Sequence, residues 1–227
     1  MIEFVFLDLD DTILDFEVTE RKSISRLLEH LGVVPTEEIV HRYHVINLDH
    51  WKQLERGEIT REQINNRFDV LFGELGMSVS TQECEVLYRQ FLSEGTDYMP
   101  GAQNVVEQLS NKYRLFLASN GTASVQAGRL RLTGLNAYFE KSFVSEEIGA
   151  NKPSSLFFER AFAQIPGFEK EKAIMVGDSL TSDILGGINA GIKTCWVNPK
   201  HRPVRSDIQP DYEIESICQL EKLLETI

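Results

Sequence analysis

Three carboxylates, Asp8, Asp10 and Asp11, stand within one turn's length of chain, directly after the apolar run Phe4, Val5, Phe6 and Leu7. Two like unit charges 4 Å apart repel by roughly 4 kcal/mol at an effective dielectric of 20. Acidic groups crowded at the end of a buried segment therefore call for a cation. Two further polar groups recur in the same kind of place, Ser119, Asn120 and Gly121 after an apolar run and Gly177, Asp178 and Asp183 after another, and Lys152, in the tripeptide Asn151-Lys152-Pro153 before a helical stretch, could reach the same edge. Asp8, Asp10 and Asp178 are hard oxygen donors, few enough to leave waters on the ion, a set that suits Mg²⁺ with a substrate phosphate. Lys152 and the Ser119 hydroxyl add donors for phosphate oxygens. With the charge offset in this way, a carboxylate can attack phosphorus. Taken singly, each residue also has an ordinary reading. An Asp-x-Asp caps turns, Ser and Asn favour loops, and a lone lysine is normally solvated.

The chain must supply elements that bring these groups together. Phe4–Leu7 reads as a fully buried strand of a parallel sheet. Four helical patterns follow. The first carries Ile24, Leu27, Leu28 and Leu31 and stops at Gly32; the second runs from Thr36 towards Gly57. The third opens with Thr60 and Gln63 as a capping box and carries Ile64, Phe68, Leu71, Phe72 and Leu75; the fourth opens with Ser80 and Glu83 and ends by Gly95. After them, helical stretches alternate with the apolar runs 115–118, 143–144, 173–176 and 194–197. The alternation predicts an α/β fold, a mostly parallel Rossmann-like sheet over 1–15 and 98–227, interrupted by an all-helical cap over 16–97. In such sheets ligands bind beyond the carboxyl ends of the strands. Asp8, Ser119 and Asp178 all fall there, and Lys152 precedes a helix that Pro153 is suited to start at its first position.

Composition narrows the partners. The 23 lysine and arginine residues against 35 aspartate and glutamate residues give a net charge of −12, so the surface lacks the basic footprint that a nucleic acid polymer or an anionic membrane requires. A small phosphorylated molecule remains possible where positive charge is concentrated in one pocket. Three scattered cysteines, Cys84, Cys195 and Cys218, make no disulfide framework, and the opening MIEFVF has no basic leader. Both features predict a cytoplasmic protein that neither spans a membrane nor is secreted. Length and charge leave the oligomeric state undetermined.

The segments DLDDT (8–12), SNG (119–121), KP (152–153) and GDSLTSD (177–183) together resemble the four ordered motifs of the haloacid dehalogenase (HAD) superfamily. The resemblance implies a Mg²⁺-dependent phosphomonoester hydrolase with Asp8 as the nucleophile that becomes an aspartyl-phosphate. Asp10 would be the general acid and then the base. Ser119, Lys152 and Asn120 would hold the phosphoryl group, Asn120 through its backbone or side chain. Asp8, the Asp10 carbonyl and Asp178 would hold the metal, with Asp183 in support. Dehalogenases of the superfamily lack the second aspartate, so Asp10 points to phosphoester chemistry, in which a poor alkoxide leaving group needs a proton. The stretches SDILGGINAGIKTCWVN, LERGEIT and RFDVLF are most similar to bacterial 5′-nucleotidases that act on pyrimidine nucleoside monophosphates. Alternatives are a sugar-phosphate phosphatase or phosphomutase of the same superfamily and, from another class, a catalytically silent binding module.

Other residues carry weaker signals. His41 and His44 lack a third ligand at suitable spacing and read as cap surface. At least two of Trp51, Tyr43 and Phe68 are expected in the cap's own core, and Cys195 as a buried filler. The basic run at 201–205 reads as a solvated loop.

Overall fold

The computed structural model describes residues 1–227 and divides into two compact units, Met1–Asp15 with Thr96–Ile227, and Phe16–Gly95. In the first, six strands form one sheet: β1 (Phe4–Leu7), β2 (Arg114–Ser119), β3 (Lys141–Val144), β4 (Ala173–Gly177), β5 (Lys193–Val197) and β6 (Tyr212–Ile214). Every neighbouring pair is parallel, in the order β3-β2-β1-β4-β5-β6. The five apolar runs became β1 to β5. The three-residue β6, which carries a single buried apolar residue, Ile214, had no such run to announce it.

The helices of the second unit are α1 (Phe16–His30), α2 (Glu37–Glu55), α3 (Asn66–Glu74) and α4 (Thr81–Ser93). Those of the first are α5 (Ala102–Ser110), α6 (Ala123–Thr133), α7 (Ser145–Ile148), α8 (Ser155–Phe162), α9 (Leu185–Ala190) and α10 (Leu220–Leu224). Strand periodicity sorts the core into two layers. Val5 and Leu7 face one side with Leu115, Leu117, Ile174 and Val176, against Val105, Val106 and Leu109 of α5 and Leu220 and Leu224 of α10. Phe4 and Phe6 face the other with Phe116, Phe143 and Met175, against Phe157, Phe158 and Phe162 of α8. Both faces are apolar because both are covered, which is why β1 reads as an unbroken hydrophobic run.

Two local expectations are corrected. Pro153 does not occupy the first position of α8. The helix starts at Ser155, capped by Ser154, whose Oγ accepts the Leu156 N–H (3.3 Å), so Pro153 stays in the loop that carries Lys152. The third helix starts later than its capping box implies. Gln63 Oε1 does accept the Thr60 N–H (2.8 Å), but a tight turn, Glu62–Asn65, intervenes before α3. Thr96 and Asp97, at the end of the inserted segment, stand with the first unit, where the Asp15 N–H donates to the Asp97 carbonyl (2.9 Å).

The helical unit has its own core. Tyr43 and Phe68 stack with ring centroids 5.7 Å apart, and Tyr88 meets both edge-on. Trp51 lies outside that cluster, half-buried, beneath the Arg61 guanidinium. Beside the rings Arg67 is buried, donating to Tyr43 Oη (3.0 Å), the Ile64 carbonyl (2.9 Å) and Glu85 Oε2 (2.6 Å). Removing one partner of such a pair leaves a charge stranded away from water. Arg67→Ala should therefore lower the unfolding free energy by about 3 kcal/mol in a urea titration. A loss below about 1 kcal/mol, the value for a solvated surface pair, would contradict this account of the helical core.

Candidate active site

The strand order reverses at β1: the chain moves outward through β2 and β3, then returns to lay β4 on the other side. The crevice beyond the carboxyl ends of β1, β2 and β4 is the switch point of the sheet, where ligands bind in this class of fold. Register fixes what arrives there. Leu7 is level with Leu117 and Val176, so Asp8, Ser119 and Asp178 emerge side by side within about one residue. The Asp8 N–H donates to the Val176 carbonyl (2.9 Å), extending the ladder one residue past the strand. The chain then turns within Leu9–Leu14. Leu9 O accepts from both Ile13 and Leu14, and Asp11 takes a positive φ of 57°, a conformation that aspartate tolerates better than most residues.

Lys152 enters from the loop before α8 and is buried, at 1% exposure. Its Nζ donates to Asp8 Oδ1 (2.7 Å), Asp183 Oδ1 (2.6 Å) and the Ala118 carbonyl (2.6 Å). An ammonium has three hydrogens, so this set satisfies it completely. Burial alone would discharge the amine, but Asp183 and Asp8 outweigh that and hold its pKa above the ordinary lysine range. The loop is fixed by Asn120, whose side chain accepts from the Lys152 N–H (2.8 Å) and donates to the Lys152 carbonyl (2.9 Å) and to Ser182 Oγ (3.1 Å). The Asn120 side chain is thus engaged in holding the lysine loop.

Asp183 lies on a wide turn, Leu180–Ile184, and folds back so that Oδ2 accepts the Ser179 N–H (3.0 Å). Gly177 makes this possible, since a Cβ there would sit 2.2 Å from Asp183 Oδ2. Asp8, Asp178 and Asp183 each present an oxygen, all within 4.8 Å of one another. Burial pushes the Asp8 carboxyl well above the usual range; Lys152 opposes this, while Asp183 and Asp10 add to it. The Asp178 carboxyl is pushed up to about 7, first by desolvation and then by Asp183 and Asp11, with Arg202 opposing. Three carboxylates thus face a single buried ammonium. This all-oxygen, doubly negative set fits a hard divalent cation such as Mg²⁺ and does not resemble the His and Cys donors of a zinc site.

The Asp10 side chain does not join that cluster. Its Oδ2 accepts from Gln126 Nε2 (2.7 Å), and its Oδ1 pairs with Arg129 Nη1. Ser119 Oγ accepts from the Gly121 N–H (3.0 Å) and from Gln126 Nε2 (2.9 Å). Sequence reasoning missed Gln126 and Arg129; the available signal was a pair of polar residues three apart on a helix whose other positions give no clear apolar stripe. The basic run at 201–205 is an exposed loop, as expected. From it Arg202 Nη2 donates to the Asp178 carbonyl (2.7 Å), the loop fixed by paired hydrogen bonds with Asn198. Cys195 is buried as expected, and burial raises its thiol to about 12. His44 Nδ1 lies 2.5 Å from Glu20 Oε2, within the helical unit.

Residues 5–197 match the family model of the haloacid dehalogenase-like hydrolases. The chain is 38% identical over 220 residues to the pyrimidine 5′-nucleotidase PynA of Streptococcus pneumoniae, covering 96% of this chain and 93% of that protein. It is 31% identical over 223 residues to the pyrimidine 5′-nucleotidase YjjG of Escherichia coli, covering 98% and 97%. A crystal structure of the HAD-hydrolase YfnB from Bacillus subtilis, bound to magnesium, superposes with a TM-score of 0.94 at 37% identity over 98% of both chains.

The close approach at Gly177 gives a direct test of the acidic cluster. Gly177→Ala should displace Asp183 and weaken Mg²⁺ or Mn²⁺ binding by about 10- to 100-fold, the usual effect of disturbing groups that orient metal ligands. Isothermal titration measures it. An unchanged affinity in a folded variant would contradict the placement of Asp183.

Proposed function

The chain belongs to the haloacid dehalogenase-like hydrolases and is a phosphatase of that family; from this premise we propose that it hydrolyses nucleoside 5′-monophosphates, pyrimidine ones by preference, with Mg²⁺. The observation that carries the chemistry is the buried Lys152 ammonium, held between Asp8 and Asp183 with Asp178 alongside. The pyrimidine preference rests on the relatives at 38% and 31% identity, both of them pyrimidine 5′-nucleotidases. An intracellular site of action follows from such a substrate. No helix is long and apolar enough to cross a membrane.

In this reading Asp8 is the nucleophile. Lys152 fixes one of its oxygens and leaves the other to approach phosphorus. As the bond from Asp8 to phosphorus forms, the bond from phosphorus to the nucleoside 5′ oxygen breaks, and Asp10 supplies the proton that the departing alkoxide needs. Asp10 then takes a proton from water as water attacks the aspartyl-phosphate, restoring the Asp8 carboxylate and releasing inorganic phosphate. Ser119 Oγ, already accepting two hydrogen bonds, keeps its own proton to donate to a phosphoryl oxygen. Lys152 reaches the same group by exchanging one of its present acceptors for a phosphoryl oxygen. Asp8, Asp178 and Asp183, with the Asp10 carbonyl that the family pattern implies, would hold Mg²⁺, which when bound supplies positive charge beside the phosphoryl oxygens. We assign substrate selection to the inserted helical unit.

Phosphate release from a panel of nucleoside monophosphates and sugar phosphates tests the substrate class. Pyrimidine monophosphates should lead, and EDTA should abolish turnover until Mg²⁺ is restored. Asp8→Asn should lower kcat by at least about 10³-fold with the fold intact. A sugar phosphate turned over faster than any nucleotide would contradict the substrate, and an active Asp8→Asn variant the nucleophile.

A further inference from the structure

Gln126 and Arg129 sit one turn apart on α6, and both are shut away from solvent, at 1% and 0% exposure. A helix packed on a sheet normally places apolar residues at such positions, as this one does with Val125 and Leu130. The two polar side chains converge on one carboxylate. Gln126 Nε2 donates to Asp10 Oδ2 (2.7 Å) and to Ser119 Oγ (2.9 Å), while Arg129 Nη1 pairs with Asp10 Oδ1 and donates to Gln126 Oε1 (3.2 Å). Both oxygens of Asp10 are therefore held, while its side chain keeps 26% exposure. The amide that grips Asp10 also grips the hydroxyl expected to hold phosphate. Gly121 makes room for it, since a Cβ there would meet Gln126 Nε2 at 2.2 Å. The last residue of the SNG motif thus accommodates the clamp.

A short acidic side chain on a turn has free rotation of its own, and transfer of a proton to a leaving group requires its oxygen within a few tenths of an ångström of a set position. We propose that Gln126 and Arg129 are positioning residues that aim Asp10 at the leaving-group oxygen, and that Gln126 ties this aim to the phosphate-holding Ser119. The inference rests on the reading of Asp10 as general acid and base. It separates from a merely structural ion pair by its dependence on the leaving group. A nucleoside alkoxide needs a proton to depart, whereas p-nitrophenolate departs without one.

The test is rapid-quench kinetics with enzyme in excess over substrate, comparing a pyrimidine nucleoside monophosphate with p-nitrophenyl phosphate in wild type, Gln126→Met, Arg129→Met and Asp10→Asn. The first turnover isolates attack by Asp8 from the later step, in which Asp10 acts as base on either substrate. In Gln126→Met and Arg129→Met, nucleoside release should slow by about 10²-fold, the lower end of what positioned acid catalysis contributes. Nitrophenol release, whose leaving group needs no proton, should slow by at least about tenfold less than nucleoside release in each variant, and Asp10→Asn should show the same split. Should Arg129→Met fail to fold, the near-isosteric Gln126→Met decides alone. Equal slowing on both substrates, or none on either, overturns the inference while leaving the phosphatase assignment standing. A wild-type protein that releases phosphate from neither substrate overturns that assignment and the inference together.

Discussion

The site depends on one buried ammonium. Removing Lys152 from water would cost several kcal/mol if its charge were unmatched. It is matched on all three hydrogens, by two carboxylates and a strand-end carbonyl. That arrangement draws together residues far apart in sequence: position 8, at the end of β1, position 118, near the end of β2, and position 183, on the turn after β4. The same ammonium limits the mutual repulsion of Asp8 and Asp183, but it offsets only one charge. The raised pKa of Asp8 and of Asp178 comes first from burial and then from neighbouring carboxylates, and a bound divalent cation would oppose both effects.

The backbone serves that arrangement through close approaches that side chains would block. Gly177 lets Asp183 fold back against the end of β4, and Gly121 lets Gln126 pass from Ser119 to Asp10. Asn120 closes the set, joining the end of β2 to the lysine loop and to Ser182. Two clamps result. One, centred on Lys152, fixes Asp8; the other, centred on Gln126 and Arg129, fixes Asp10. They meet at the 119–121 turn, where Ser119 and Gly121 serve the second and Asn120 the first.

Much of this was legible in the sequence because it lies at strand ends. An apolar run that stops at a polar residue marks both a buried parallel strand and the place where ligands bind, so Asp8, Ser119 and Asp178 could be placed on one rim before any coordinates. The Asn120 side chain was harder, because a short polar residue in a loop is as suited to bonding backbone as to bonding phosphate. Gln126 and Arg129 were hidden by their helical setting. Buried polar residues there look like solvated ones unless their distant partner is known. The loop at 201–205 is solvated as its composition suggests, but the reach of Arg202 to the Asp178 carbonyl was not legible, because that partner lies 24 residues away. β6 is a strand chiefly by pairing with β5, with one buried apolar residue to signal it.

The central claim is that the Asp8 carboxylate, held at one oxygen by Lys152, forms the bond to phosphorus. Acid-quenching the enzyme during turnover and reducing it with borohydride converts an aspartyl-phosphate to homoserine, which peptide mass mapping locates. The account predicts homoserine at position 8 and at no other carboxylate. Homoserine elsewhere, or none during active turnover, would contradict it.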